Sequence, residues 1–246
     1  MSGHSKWATI KHAKAATDAK RGQMFTKLIK EITVAARNGG NPDTNPRLRT
    51  AIARGKDASM PADNIERAIK KGTGELEGVN YEDMVLEGYG PGGVAIYVEG
   101  LSDNKNRTTS EVRTLFSKNG GNMAGAGSVA WMFEKKGYIV IAKATIGEEK
   151  LMDIVLNAGA DDMVVEDENY GIKTPPADFF KVKKALEDQK IAIESADIEL
   201  IPKSTVKVTG QDAKRVINLV NSIEEHDDVQ NVYANFDIPD DLLIEE

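Results

Sequence analysis

The 246-residue chain has no cysteine, which excludes disulfides, cysteine–zinc sites and thiol catalysis. Histidine is nearly absent as well. There are three, His4, His12 and His226, too few for most histidine-based metal centres. No apolar run approaches the ~18 residues of a membrane-crossing helix. The opening MSGHSKWATIKHAKAATDAKR carries no apolar stretch of the kind a secretory signal needs. It is basic, as transit peptides are, but Asp18 and the shortage of Ser and Arg argue against one. A cytoplasmic chain without membrane contact is the expectation. What is present suffices for folding: 40% of residues are apolar, enough for ordinary cores, and the length calls for more than one domain.

The net charge of −7 conceals two opposed parts. Residues 1–74 hold 15 Lys/Arg against 6 Asp/Glu, a balance of +9, while residues 75–246 hold 17 against 33, a balance of −16. Such asymmetry points to contact with nucleic acid or another anionic surface; the plain alternative is a solvated basic helix face.

Periodicity predicts helices in the basic part. Phe25, Leu28, Ile29, Ile32 and Ala36 recur at helical spacing over about 18–38, and Gly39-Gly40 follows as a stop. Asn45-Pro46 opens a second helix with proline in its first turn. Pro61 starts a third, over 61–71, with Gly72 as its stop. Beyond residue 79 strands and helices alternate. Strands are expected at Met84–Glu87, Val94–Glu99 and Ser128–Phe133, with a helix over Thr108–Lys118 between the last two. After a break at Lys135-Lys136-Gly137, residues 138–201 read strand, helix, strand, strand, helix, strand, the split βαβ or ferredoxin-like order. Thr205–Val208, a helix over 211–225 and Val229–Phe236 complete the chain. The fold expected is α+β: a helical domain (1–79) with an N-terminal arm, a discontinuous α+β domain (80–134 and 204–246), and a ferredoxin-like domain (135–203) inserted in it.

No catalytic constellation is visible. Gly88-Tyr89-Gly90-Pro91-Gly92-Gly93 matches the dinucleotide pattern in letters, but a strand rather than a helix follows, so a hairpin loop is the better reading. The cluster Gly120–Gly127 lacks the Gly-Lys-Ser/Thr of a phosphate loop; it reads as a mobile contact loop or, equally, as a linker. His4 and His12 have no companion ligands nearby, which leaves phosphate contact or exposure. His226 among Glu224, Glu225, Asp227 and Asp228 is explained by capping and charge balance. The acidic clusters lack calcium-loop spacing. No cofactor, metal or small-molecule substrate is expected.

The basic segment therefore carries the functional reading. Candidate nucleic-acid contacts are His4, Lys6, Trp7, Lys11, His12, Lys14, Lys20, Arg21, Lys27, Lys30, Arg47 and Arg49, with Trp7 either stacking on a base or anchoring the arm. The run Asn104-Lys105-Asn106-Arg107 exceeds what capping of the helix by Thr108 or Thr109 requires. Together with Gly120, Gly121 and Asn122 it forms a second candidate contact region for phosphates or the bases of single-stranded RNA; a solvated loop is the alternative.

Gly3-His4-Ser5-Lys6-Trp7, Ile10-Lys11-His12, Asp18-Ala19-Lys20-Arg21-Gly22, Asn45-Pro46-Arg47-Leu48-Arg49, Ile65-Glu66-Arg67-Ala68-Ile69, Glu87-Gly88-Tyr89-Gly90-Pro91-Gly92-Gly93, Asp103-Asn104-Lys105-Asn106-Arg107-Thr108 and Gly127-Ser128-Val129 together resemble the YebC/PmpR family. The resemblance spans essentially the whole chain. It implies a helical first domain and two ferredoxin-like domains in a cytoplasmic non-enzyme. One expectation it carries is a DNA-binding transcriptional regulator that grips the phosphate backbone. The alternative, drawn from relatives that include a mitochondrial translational activator, is a ribosome-associated factor that binds ribosomal RNA and relieves stalling on proline-rich sequences.

Overall fold

In the computed structural model, residues 18–166 and 168–239 are described. Three helices come first: α1 (Asp18–Ala36), α2 (Pro46–Asp57) and α3 (Ala62–Thr73). They bury Ile32, Ala35, Leu48, Ala51, Ile65 and Ala68 against one another. Asn45 joins the helices through one amide. Its oxygen accepts the Leu48 N–H at 3.1 Å as the N-cap of α2, and its nitrogen donates to the carbonyls of Ala35 and Gly39 at 2.8 Å each. A cap that also satisfies the orphan carbonyls of the preceding helix fixes the α1–α2 turn. The stop expected at Gly72 falls two residues later, at Gly74, which has φ +83°. Gly72 serves close packing instead, since a Cβ there would strike the Thr33 carbonyl and the Ala36 side chain.

The rest is α+β. The first sheet has strand order β3-β1-β2-β9 and is antiparallel throughout. Its strands are β1 (Glu82–Tyr89), β2 (Ala95–Ser102), β3 (Asn122–Ala124) and β9 (Val229–Ala234). Helices α4 (Lys105–Lys118) and α7 (Gly210–Glu224) cover one face. Val112 and Phe116 of α4 and Val216, Leu219, Val220 and Ile223 of α7 meet Ile96 and Val98 there. Gly88 accommodates the Phe116 ring, which a Cβ would hit.

The second sheet runs β5-β6-β4-β7, built from β4 (Phe133–Ala142), β5 (Asp162–Val165), β6 (Asn169–Thr174) and β7 (Ser195–Pro202). Helices α5 (Glu148–Ala158) and α6 (Phe179–Asp188) pack Leu151, Val155, Val182 and Leu186 on Ile139, Ile141 and Ile172. This is the ferredoxin-like order read from residues 138–201. A parallel pair, β8 (Val206–Lys207) with β10 (Phe236–Asp237), closes the first unit.

Two local expectations differ. Ser128–Phe133 is not a strand: Ala130–Met132 forms a helical turn, and the fourth strand of the first sheet is the short β3 inside the glycine-rich cluster. Nor is there a break at Lys135–Gly137, because β4 pairs with β7 from Phe133 to Val140. Gly137 continues the strand and makes room for Phe179 and Thr174, which occupy the space a Cβ would need.

Candidate nucleic-acid interface

Of the sequence-predicted contacts, His4, Lys6, Trp7, Lys11, His12 and Lys14 lie outside the described residues, as does the Lys20 side chain in the first turn of α1. The other cations divide sharply. Lys30 is buried; its Nζ lies 2.7 Å from Asp228 Oδ1 and donates to the Asp227 carbonyl at 2.9 Å. It also sits 5.3 Å from the centre of the Tyr81 ring, a cation–π arrangement. Lys27 donates to the Glu224 carbonyl at the C-terminal end of α7, where the helix dipole favours a cation. Arg54 bridges Glu31 and Asp197. Burial alone would lower its pKa, but Asp197 and Glu31 outweigh burial and raise it. Arg47 pairs with Asp83 at 2.7 Å on an exposed surface. Helical periodicity marks Lys27, Lys30 and Arg47 as outward-facing. It carries no sign that the α+β body supplies their partners.

Asp228 is the centre of that docking. Besides Lys30, its carboxylate accepts from Arg107 at 2.7 Å, Thr108 at 2.6 Å and Ser102 at 3.1 Å. Burial pushes the carboxyl up, but hydrogen bonds from Lys30, Thr108 and Arg107 outweigh it and hold the group well below the usual carboxylate range. His226 orders the approach: its Nδ1 accepts the Asp228 N–H at 3.1 Å, and its Nε2 faces Glu111 at 2.9 Å.

The second candidate region is also absorbed in part. Asn104 is the N-cap of α4, accepting the Arg107 N–H at 3.1 Å, so the helix begins at Lys105, three residues before the expected start. Lys105 pairs with Glu82 at 2.8 Å, and Arg107 with Asp103 and Asp228. Asn106 is exposed. Gly120 turns the chain at φ +77°, Gly121 packs against the Tyr89 carbonyl, and Asn122 begins β3.

Glu87 organises the loop beyond. Its buried carboxylate accepts the N–H groups of Gly127, Val129 and Ala130 at 2.6, 2.6 and 2.9 Å. Burial raises its pKa, and the three amides bring it below the ordinary value. This carboxylate curls residues 127–132 out of strand geometry, which explains the missing strand.

Arg49, Lys56, Arg67 and Lys71 of the helical unit stay exposed with no ion pair among the described residues; Arg37, likewise exposed, donates to the Tyr81 carbonyl. Arg49 touches only the Pro42 and Asp43 carbonyls, at 3.4 Å each. Arg49 and Lys56 lie seven apart on α2, and Arg67 and Lys71 four apart on α3, so each pair shares a helix face. Lys56, Arg67 and Lys71 were not among the predicted contacts. Their i,i+4 and i,i+7 spacing was the signal in the sequence that could have found them.

Between the helical unit and the open face of the first sheet lies a cavity of 750 Å³, walled by Leu28, Arg54, Val85, Glu99, Leu200 and Tyr233. Burial, with Glu99 next, raises the pKa of the Tyr233 hydroxyl. Among the described residues, no group of three or more acidic or histidine side chains is placed to hold a metal ion, and no helix is long and apolar enough to cross a membrane.

Comparison with known proteins gives a consistent result. Residues 5–75 match the family model described as "TACO1/YebC protein N-terminal domain", and residues 81–236 match "TACO1/YebC second and third domain". A "Probable transcriptional regulatory protein" of Geobacter sulfurreducens is 58% identical over 97% of this chain and 96% of its own length. Another of the same name, from Desulfatibacillum aliphaticivorans, is 56% identical over the full length of both. The crystal structure of a conserved hypothetical protein from Aquifex aeolicus superposes with a TM-score of 0.80 at 51% identity, covering 91% of this chain and 93% of that one.

Proposed function

The chain belongs to the TACO1/YebC family, and from that premise we propose that it is a cytoplasmic, non-catalytic regulator that binds the phosphate backbone of nucleic acid through its helical domain. The observation that carries this is the division of the cations. Lys27, Lys30, Arg47 and Arg54 are spent on the acidic body. Arg49, Lys56, Arg67 and Lys71 are left unpaired among the described residues. The lysine-rich segment at residues 6–20, read from the sequence, is assigned to the same phosphate contact. The name shared by the relatives supports transcription as the process, with DNA as the target. The three-domain division of the sequence, with the second α+β domain inserted in the first, is part of this reading.

A second reading, ribosomal RNA on a ribosome, rests on a specific observation. Arg47 and Arg54 of α2 are held by Asp83 and by Glu31 and Asp197. The exposed face of α3 mixes Asp63 and Glu66 with Arg67 and Lys71. What the two helices leave free, Arg49 and Lys56 on one and Arg67 and Lys71 on the other, are cations suited to phosphates, so backbone contact dominates, which suits a structured RNA.

In-cell crosslinking followed by sequencing of the recovered nucleic acid separates the two. Promoter DNA is the outcome expected for the transcriptional role. Predominant ribosomal RNA replaces it with the ribosomal one.

A further inference from the structure

Trp131 is the most exposed large apolar side chain among the described residues, at 64%. Yet it is not loose. Its indole Nε1 donates to the Ser128 carbonyl at 3.0 Å, and Tyr89 donates to the same carbonyl at 3.0 Å. The adjoining backbone is pinned by Glu87 through Val129 and Ala130. The only polar atom of the side chain is therefore satisfied inside the protein, while the ring itself faces water. A ring held in this way presents an ordered aromatic face on which a base can stack.

A basic cleft adjoins it. Lys203 Nζ donates to the Trp131 carbonyl at 2.9 Å, and the same residue lines a pocket of 200 Å³ with Lys173, Ser204, Thr205 and Tyr138. No carboxylate lines this pocket, although Asp162 stands opposite Lys173 in the sheet register. Among the described residues, neither Lys173 nor Lys203 has an ion-pair partner. Two lysines beside Ser204 and Thr205, with no carboxylate, make this an electropositive pocket within the acidic part of the chain. The volume is below the ~300 Å³ at which pockets begin to enclose small organic ligands. It suits a phosphate group, not a whole nucleotide.

We propose that Trp131 and the Lys173–Lys203 pocket form a second contact for single-stranded nucleic acid, in which a base stacks on the indole while a neighbouring phosphate enters the pocket. This rests on the nucleic-acid reading above and adds to it a single-strand site far in sequence from the arm. Stacking on an aromatic face is tolerant of base identity, so the site adds affinity for unpaired segments without reading sequence.

Fluorotryptophan-labelled full-length protein gives two indole resonances, and the Trp131→Phe variant assigns one of them. Titration with oligouridylate and with oligodeoxythymidylate is expected to shift the Trp131 resonance, with a duplex of equal length shifting it far less. The two arms show whether ribose matters. Trp131→Ala should weaken single-strand binding roughly tenfold, and Lys173→Ala with Lys203→Ala should lower the salt slope by about 1. Suppose strand binding, followed by anisotropy of a labelled strand, saturates with the Trp131 resonance and the variant affinities unchanged. The second contact is then overturned while the arm-based reading stands. Absence of binding to any strand or duplex overturns both. Unchanged strand binding combined with loss of a protein partner in Trp131→Ala makes this face a protein contact and overturns the proposal.

Discussion

Lys30 on α1 and Asp228, the residue before β9, lie 198 positions apart and meet at 2.7 Å, both almost fully buried. The pair joins the helical unit to the α+β body, and its energetics differ from those of a surface ion pair. Two charges removed from water are costly unless each remaining hydrogen-bonding site is used. Here Asp228 is also served by Arg107, Thr108 and Ser102, and Lys30 by the Asp227 carbonyl.

Removing one partner is expected to be severe. Lys30→Met leaves a buried carboxylate short of a cation, which typically costs about 3–5 kcal/mol; with Arg107 still in place the lower end is expected. Urea denaturation measures it. Affinity for nucleic acid per folded molecule should change little, since Lys30 faces inward. A large loss of affinity with unchanged stability would place Lys30 on the outer surface.

Acid should act through the same residue. The Asp228 carboxyl is held below its ordinary value, so the stability it contributes is complete above an unfolded pKa of about 3.9 and is lost as pH falls toward the lower native value. Wild-type stability should therefore drop steeply below pH ~4, and Asp228→Asn should show a flatter acid limb. Denaturation midpoints measured across this range for both proteins check it.

Glu87→Gln tests the loop anchor. A neutral amide has one acceptor oxygen and turns an NH₂ toward amides that need acceptors, so about 1–3 kcal/mol should be lost. Amide hydrogen exchange at Gly127, Val129 and Ala130 is expected to accelerate selectively. Uniform exchange across these residues and the strands would show that the carboxylate does not hold the loop.

Two glycines of the helical unit should respond oppositely. Gly72→Ala forces α3 away from Thr33 and Ala36 on α1 and is expected to cost about 1–3 kcal/mol. Gly22, within α1, has open space around it, and Gly22→Ala should stabilise by up to about 1 kcal/mol. Thermal melting of the two variants decides.

Neutralising Lys6, Lys11 and Lys14 should lower nucleic-acid affinity and reduce the salt slope by about 2–3, close to one unit for each phosphate that no longer meets a cation. Titrations at several salt concentrations measure both. An unchanged slope would remove the arm from the interface.

Much of this protein is written in its local patterns. Helical spacing of Phe25, Leu28, Ile32 and Ala36, the Asn45-Pro46 start, and the strand–helix order of residues 138–201 depend on neighbours a few positions away, and each formed as its residues suggest. The irregular places are those where a distant side chain intervenes. Residues 127–132 have strand-like composition but curl because Glu87, some 40 positions earlier, takes their amides. Lys135–Gly137 looks like a break but extends because β7 pairs along it.

The same boundary divides the candidate site. The sequence by itself determined the charge split between residues 1–74 and the remainder, the absence of thiol chemistry, and the helical and sheet character of each part, since composition and short-range periodicity suffice for these. Only the tertiary structure decided which cations remain for a partner. Lys27, Lys30 and Arg54 resemble Arg49, Lys56 and Lys71 as residues on amphipathic helices, but the first three meet carboxylates or helix-end carbonyls brought in from residues 197–228. Pairing of charges is a matter of distance in space, and a meeting of residues some 140 to 200 positions apart leaves no periodic trace along the chain.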